Sequence, residues 1–140
     1  MTNLSSVSKA LVSFWVVMIA AAIGAALVVA AGYFGVTQDL GAHPFWAFKV
    51  TWIGAPIGVI LFLALWRVST SILLGVVLLA LGVACMFAAN WGKTEFAASF
   101  AENALAGRIW YFGWIGASAF GAAAIAWFDA DVMDRITSRS

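Results

Sequence analysis

Charged residues are scarce in this chain of 140 residues, and that scarcity limits what the protein can be. Only 9% of the residues are charged and 65% are hydrophobic, whereas soluble domains contain about 45–50% apolar and about 25% charged residues. The seven basic and six acidic residues nearly cancel, so no basic surface is available to follow a phosphate backbone. The composition therefore excludes nucleic-acid binding and indicates an integral membrane protein.

Cysteine and histidine are also nearly absent. With one cysteine, Cys85, the chain forms no internal disulfide, and we expect that thiol to be a small buried apolar group. One cysteine and one histidine, His43, cannot supply a bis-histidine haem site, nor a zinc site without carboxylates from distant loops. His43 also lacks evident partners for nucleophilic catalysis. We therefore expect no metal, no cofactor bound by this chain alone and no enzymatic activity.

In place of charge, the chain has long apolar runs. A helix needs about 20 consecutive apolar residues to cross a bilayer core, and four uncharged intervals approach or exceed this length. They predict a single all-α membrane domain, residues 1–140, with four transmembrane helices in an up-down bundle. The predicted spans are roughly 9–36, 45–66, 70–90 and 108–128. The middles of these spans lack ionisable residues, which argues against a proton or cation carrier acting alone.

The first apolar run could be mistaken for a signal peptide, but it is longer than the about 7–15 apolar residues that such peptides carry. We therefore expect an uncleaved first transmembrane helix, with both termini on the same side. The basic residues predicted on that side are Lys9, Arg67, Arg135 and Arg139. Those predicted on the other side are Lys49, Lys93 and Arg108. Because basic loops tend to remain cytoplasmic, this small excess favours cytoplasmic termini in a bacterial plasma (inner) membrane.

The connections after the second and third spans predict how the neighbouring helices are arranged. The linker "RVSTS" is so short that it predicts an antiparallel hairpin with the second and third spans as neighbours. In the next connection, Ser99 and Glu102 match a capping box, and Phe96, Phe100 and Ala104 recur at helical spacing. This pattern favours a short amphipathic helix at the membrane surface, about residues 95–106. The alternative is an irregular loop whose phenylalanines pack against the bundle.

Small residues at helical spacing predict where helices approach closely, because membrane helices associate through tight packing. Gly54 and Gly58 form a GxxxG pair in the second span, with Pro56 between them. The fourth span carries Gly113, Ala117 and Gly121. A bundle this small cannot turn every such face inward, so we expect the face of the fourth span to meet another integral membrane protein.

The segment "GAHPFWAFKVTW", residues 41–52, concentrates the unusual residues. Pro44 suits a first helical turn, the aromatic residues resemble an interfacial belt, and Lys49 can extend its ammonium toward the headgroups. The segment "RIWYFGW", with Arg108 and Trp110, has the same character. These features favour anchoring at the membrane interface over a ligand site. As a binding site, His43, Lys49, Arg108 and Trp110 would contact a lipid, quinone or pigment.

Three functions remain compatible with this sequence. The favoured one is an accessory or scaffolding subunit of a larger membrane complex, possibly an energy-converting one, because the chain has little chemistry and many close-packing faces. The second is a small component of a transporter, with a substrate path shared with another subunit. The third is a protein that contacts lipid, quinone or pigment. The expected partners are other integral membrane proteins and lipids.

Overall fold

The structure, a computed structural model, describes the backbone of residues 4–139 and the side chains of residues 6–139. The described residues contain helices and no strands. In chain order the helices are α1 (Leu4–Tyr33), α2 (Val36–Asp39), α3 (Ala47–Trp66), α4 (Ile72–Ala98) and α5 (Ala104–Thr137).

Four of these helices, α1, α3, α4 and α5, are long and apolar enough to cross a membrane. Their lengths differ from the predicted spans mainly at the ends that carry charge. α4 continues past Asn90 to Ala98, and α5 continues past Phe128 to Thr137. The extension of α5 remains helical because its charges suit a helix surface, as in the ion pair of 2.9 Å between Arg135 and Asp131, one turn apart.

Helix α5 lies at the centre of the arrangement. It packs against α1, α3 and α4, and α1 also packs against α3. α5 runs antiparallel to α4, because Gly75 of α4 lies against Trp127 while Gly92 lies against Ala106. It runs parallel to α3, whose Gly54 and Gly58 lie against successive turns of α5.

The prediction that the second and third spans are neighbours is wrong. α3 and α4 do not pack on each other, although only residues 67–71 join them. Five extended residues can reach about 17 Å, more than the about 8–10 Å between packed helices. The linker uses this reach to pass α5 beside Trp127, about three turns before that helix ends, where the Ser71 carbonyl accepts a hydrogen bond of 3.1 Å from the Trp127 indole.

The predicted surface helix over residues 95–106 is also wrong. α4 includes the first part of that segment to Ala98, and α5 begins at Ala104. Between them Phe100 and Ala101 adopt left-handed φ angles of 54° and 68°, which end one helix before the next begins. Ser99, predicted as the N-cap of that surface helix, instead lies at the C-cap of α4, and α5 is capped by Asn103, whose side chain accepts from the Ala106 N–H at 3.1 Å.

A short helix does occur in the first connection, where the sequence did not suggest one. α2 follows Gly35, whose left-handed φ of 82° reverses the chain after α1. The buried Thr37 of α2 donates a hydrogen bond of 3.2 Å to the Ala47 carbonyl in the first turn of α3. α2 therefore ties the end of α1 to the beginning of α3.

Candidate functional site

The connection from α2 to α3 is held over the beginning of α5 by two long-range hydrogen bonds. The Asn90 amide of α4 donates to the Leu40 carbonyl at 3.3 Å, and the Trp110 indole of α5 donates to the Gly41 carbonyl at 3.0 Å. Gly41 has a φ of 120°, and a Cβ there would collide with the Asn90 side chain. Glycine is thus required at this point for the segment that follows, including His43, to lie over α5.

An aromatic cluster results from this placement. His43 stacks on Trp46 with ring centroids 6.0 Å apart and meets Trp110 edge to face at 5.5 Å. Trp46 in turn meets Trp110 at 5.3 Å and Tyr111 at 5.2 Å, both at steep angles. Phe96 of α4 lies 6.2 Å from Trp110. Rings from the connection, α4 and α5 therefore form one continuous wall.

These rings border an open cleft of about 460 Å³ at the end of the bundle. We call it the aromatic cleft; its principal lining residues are His43, Trp46, Phe96, Arg108, Trp110 and Tyr111. Three of the four candidate binding residues from the sequence, His43, Arg108 and Trp110, thus lie around one cavity. Lys49 is not among the lining residues, but its ammonium lies over the ring of Phe45, which is one of them, 5.7 Å from the centroid.

The polar groups of the aromatic cleft are mainly hydrogen-bond donors. The His43 Nδ1 atom accepts from the Phe45 backbone N–H at 3.1 Å, so this ring carries its proton on Nε2 and can donate it. Arg108 is exposed and forms no ion pair with any residue that the structure describes. The lining includes no carboxylate. This arrangement suits the binding of an oxygen-bearing, acceptor-rich group.

The sequence did not identify Trp46, Tyr111 and Phe96 as members of a site. Their aromatic character was visible, but it was assigned to interfacial belts and, for Phe96, to a surface helix. Little in the sequence indicated that these aromatic residues would lie together, because the hydrogen bond that brings the two segments together joins Gly41 to Trp110, 69 residues away. A search of the region that the structure describes finds no cluster of three or more His, Cys, Asp or Glu side chains suited to a metal ion.

A second cavity lies within the span of the helices. α1 and α4 do not pack on each other, and a groove of about 200 Å³ separates them over α5. We call it the α1–α4 groove; the residues that define it are Val28, Leu79, Met86, Trp114, Ala117 and Gly121. Its floor is part of the small-residue face predicted on the fourth span.

The three small residues of that face have different surroundings. A Cβ added at Gly113 would lie 2.8 Å from the Ala89 Cβ, so this position is closed by α4. A Cβ added at Gly121 would meet only Val28, at 3.9 Å, and Ala117 also faces the groove. Gly54 and Gly58, the other predicted packing pair, lie directly against the backbone of α5.

Two buried polar atoms of the described side chains have no hydrogen-bond partner. One is the indole nitrogen of Trp114, a groove residue whose side chain is only 3% exposed. The other is the Oδ2 atom of Asp129, farther along α5. An unpaired buried N–H costs about 1–3 kcal/mol. The Trp114 indole nitrogen is therefore enclosed by the protein itself, and other atoms of this residue border the groove.

Comparisons with protein-family models, curated proteins and solved structures found no match to this chain. The inference of function accordingly depends on the geometry of the aromatic cleft and of the α1–α4 groove.

Proposed function

We propose that this chain is a small multi-pass membrane protein that acts as an accessory or scaffolding subunit of a larger membrane complex. The observation that carries this proposal is the open small-residue face of α5, at Ala117 and Gly121, between two helices that do not meet. The proposed occupant of the α1–α4 groove is a transmembrane helix of another integral membrane protein.

Close packing of small residues favours a helix in this groove. Helices in lipid gain affinity from close backbone approach, which glycine and alanine permit and larger side chains prevent. Other faces of the central helix already make this kind of contact: Gly54 and Gly58 of α3 lie against α5, and Gly113 of α5 lies against Ala89. The face at Gly121 has the same composition. Gly82 of α4 lies beside its backbone, but a Cβ added at Gly121 itself would meet only Val28, at 3.9 Å, so this face has room for a further contact.

The proposed topology is an up-and-down bundle in a bacterial inner membrane, with both termini in the cytoplasm. The antiparallel contacts of α5 with α4 support the alternation, and the basic residues support the orientation. After replacement of Cys85, a cysteine at Thr94 should react with a membrane-impermeant thiol reagent from outside, and one at Ser138 should not. Reaction at both positions from one side would exclude the bundle, and the reverse result would exclude only the orientation.

Larger side chains placed in the groove test whether a partner helix docks there. Ala117→Leu and Gly121→Leu should lose a partner on extraction in mild detergent, while the variants insert and accumulate normally. Overpacking of such a contact is expected to cost about 1–3 kcal/mol. Ala84→Leu is the matched control, because Ala84 is exposed on α4 and does not line the groove. Quantitative mass spectrometry of the purified complexes measures the loss.

The competing occupants give different results. Loss of self-association in the groove variants would identify a second copy of this chain and contradict the accessory-subunit proposal. Retention of every partner at normal yield by both leucine variants would mean that the groove holds lipid, and would likewise contradict it.

A further inference from the structure

The aromatic cleft lies where a membrane-spanning chain meets the lipid headgroups. Its residues come from the connection before α3, from the end of α4 and from the first two turns of α5. Aromatic and basic side chains at the ends of spanning helices occupy the headgroup region of a bilayer. The molecules present there at highest concentration are phospholipids, each with a phosphodiester that accepts hydrogen bonds.

We propose that the aromatic cleft binds the phosphate of a phospholipid headgroup, with Arg108 and His43 as its donors. This inference requires that the helices cross a membrane, but it does not require the partner proposed above. It concerns a different cavity, since none of the principal residues of the cleft borders the α1–α4 groove.

Charge is the first argument for a phosphate. Arg108 forms no ion pair within the described residues, and no carboxylate lines the cleft. The planar guanidinium can bind two oxygens of a phosphate at once, which a lysine ammonium does not do in the same fixed geometry. A quinone ring would suit the aromatic walls, but its neutral carbonyl oxygens would leave the guanidinium without a counter-ion.

The second argument is the state of His43. Because Nδ1 already accepts the Phe45 N–H, the Nε2 proton remains available for an acceptor. The ring is held by its stacking on Trp46 and by its edge contact with Trp110. A donor fixed in this way loses little side-chain entropy on binding.

The third argument is that the walls are ordered before any ligand arrives. The Trp110 indole is committed to the Gly41 carbonyl, so its N–H positions the ring and is not available to the ligand. The Trp46 ring packs against both Trp110 and Tyr111. The cleft of about 460 Å³ is thus a preformed apolar recess with its donors at the rim, suited to the glycerol and ester groups beside a lipid phosphate.

The test uses the full chain, purified in detergent and titrated with phosphatidylglycerol, with bound lipid counted by native mass spectrometry. The wild-type protein should retain one phosphatidylglycerol in preference to dioleoylglycerol, which lacks the phosphate. Arg108→Gln should weaken that binding about tenfold, as expected for loss of a charged hydrogen-bond donor. Arg108→Lys should fall between the two, because it keeps the charge and loses the paired donors.

Lys93→Gln is the matched control. It removes one positive charge from the same end of the bundle, where the adjacent Gly92 lies against Ala106 and Trp110, but Lys93 does not line the cleft. Its lipid affinity should equal that of the wild type. Equal losses of lipid affinity in Lys93→Gln and Arg108→Gln would show that binding depends only on the positive charge of this surface, and would overturn the proposal.

Two further ligands test whether the cleft recognises a phospholipid, a free phosphate or a quinone. Inorganic phosphate at millimolar concentration should not displace the lipid, because the walls contribute to binding; displacement would identify a free anion site and contradict the lipid assignment. Decylubiquinone should bind more weakly than phosphatidylglycerol and should not respond to Arg108→Gln. Tighter binding of the quinone, or binding of dioleoylglycerol equal to that of phosphatidylglycerol, would also overturn the proposal.

Discussion

Two tryptophans of the central helix make the same contact with opposite results. The Trp127 indole donates to the Ser71 carbonyl at 3.1 Å, and the Trp110 indole donates to the Gly41 carbonyl at 3.0 Å. Each bond holds an interhelical connection against α5, at its second turn for Trp110 and about three turns before Thr137 for Trp127. We call the surroundings of Trp127 the closed end and those of Trp110 the open end, because only the second borders the aromatic cleft.

The closed end is filled by side chains. Trp127 is 0% exposed, and its ring lies 4.9 Å from Trp66 and 6.0 Å from Phe62, which is also fully buried. Leu78 and several alanines complete this cluster. The buried rings of this cluster border no cavity among the described residues, so they serve its packing; a separate open cleft of about 610 Å³ lies farther along, between the beginning of α1 and the end of α5.

The open end has similar rings but arranges them around a cavity. Trp46 and Trp110 are only partly buried, and His43 and Arg108 are exposed beside them. Aromatic residues alone therefore do not separate a structural cluster from a binding site. The difference lies in the exposed polar side chains, His43 and Arg108, that stand beside the rings and in the volume left unfilled between them.

The largest effect is expected from Trp127→Ala at the closed end. Removal of a fully buried tryptophan leaves a cavity and should lower the free energy of unfolding by about 3–5 kcal/mol. Helical content followed by circular dichroism during an SDS titration in mixed micelles measures it. Trp91→Ala is the control: Trp91 is 54% exposed, and its replacement should change stability by less than about 0.5 kcal/mol. Equal losses would mean that the closed end is not a stabilising centre.

The four helices long and apolar enough to cross a membrane were predictable because charge is expensive in lipid, so uncharged intervals indicate candidate spans directly. The positions of the helices relative to one another were not. A five-residue linker is compatible with adjacent helices and equally with a crossing over α5, and the choice depends on the Trp127–Ser71 bond between distant residues. The end of α4 was misplaced because Lys93 and Glu95, although charged, remain on the exposed surface of the same helix.

The aromatic cleft was predictable only in part. The sequence identified His43, Arg108 and Trp110 as candidates from their types, but it could not place them together. Their convergence depends on the backbone of Gly41 and on the Asn90 and Trp110 hydrogen bonds. Lys49, selected by the same reasoning, does not line the cavity and contacts it only through the ring of Phe45.

An intermediate effect is expected at Gly41, which connects the backbone to the open end. Gly41→Ala places a side chain at a φ of 120° and against Asn90, and should cost about 1–3 kcal/mol. Gly35→Ala is the matched control, since its φ of 82° is also left-handed but nothing lies within 4 Å; we expect about 1 kcal/mol there. The SDS titration measures both values.

The same two glycine variants also test how the aromatic cleft is built. Displacement of the connection by Gly41→Ala should also weaken phosphatidylglycerol binding, whereas Gly35→Ala should leave that binding unchanged. If Gly41→Ala lowers stability and preserves the lipid affinity, the aromatic cleft does not depend on this backbone position and our account of how it is built is incorrect.

The smallest effect on stability is expected at His43, the exposed member of the open end. His43→Gln and His43→Phe should each change the free energy of unfolding by less than about 0.5 kcal/mol and leave complex assembly intact, because Pro44 and the neighbouring aromatic residues already define the start of α3. The two variants distinguish the contribution of the N–H donor to lipid binding from that of the aromatic ring. Glutamine keeps an N–H donor and should bind phosphatidylglycerol within about twofold of the wild type, whereas phenylalanine keeps a ring against Trp46 and should lose about threefold or more, in line with one exposed hydrogen bond. Retained affinity in His43→Phe with a loss in His43→Gln would show that His43 acts through packing of its ring. Equal affinities in both variants and the wild type would show that neither the donor nor the ring contributes, and would leave Arg108 as the donor on which the cleft depends.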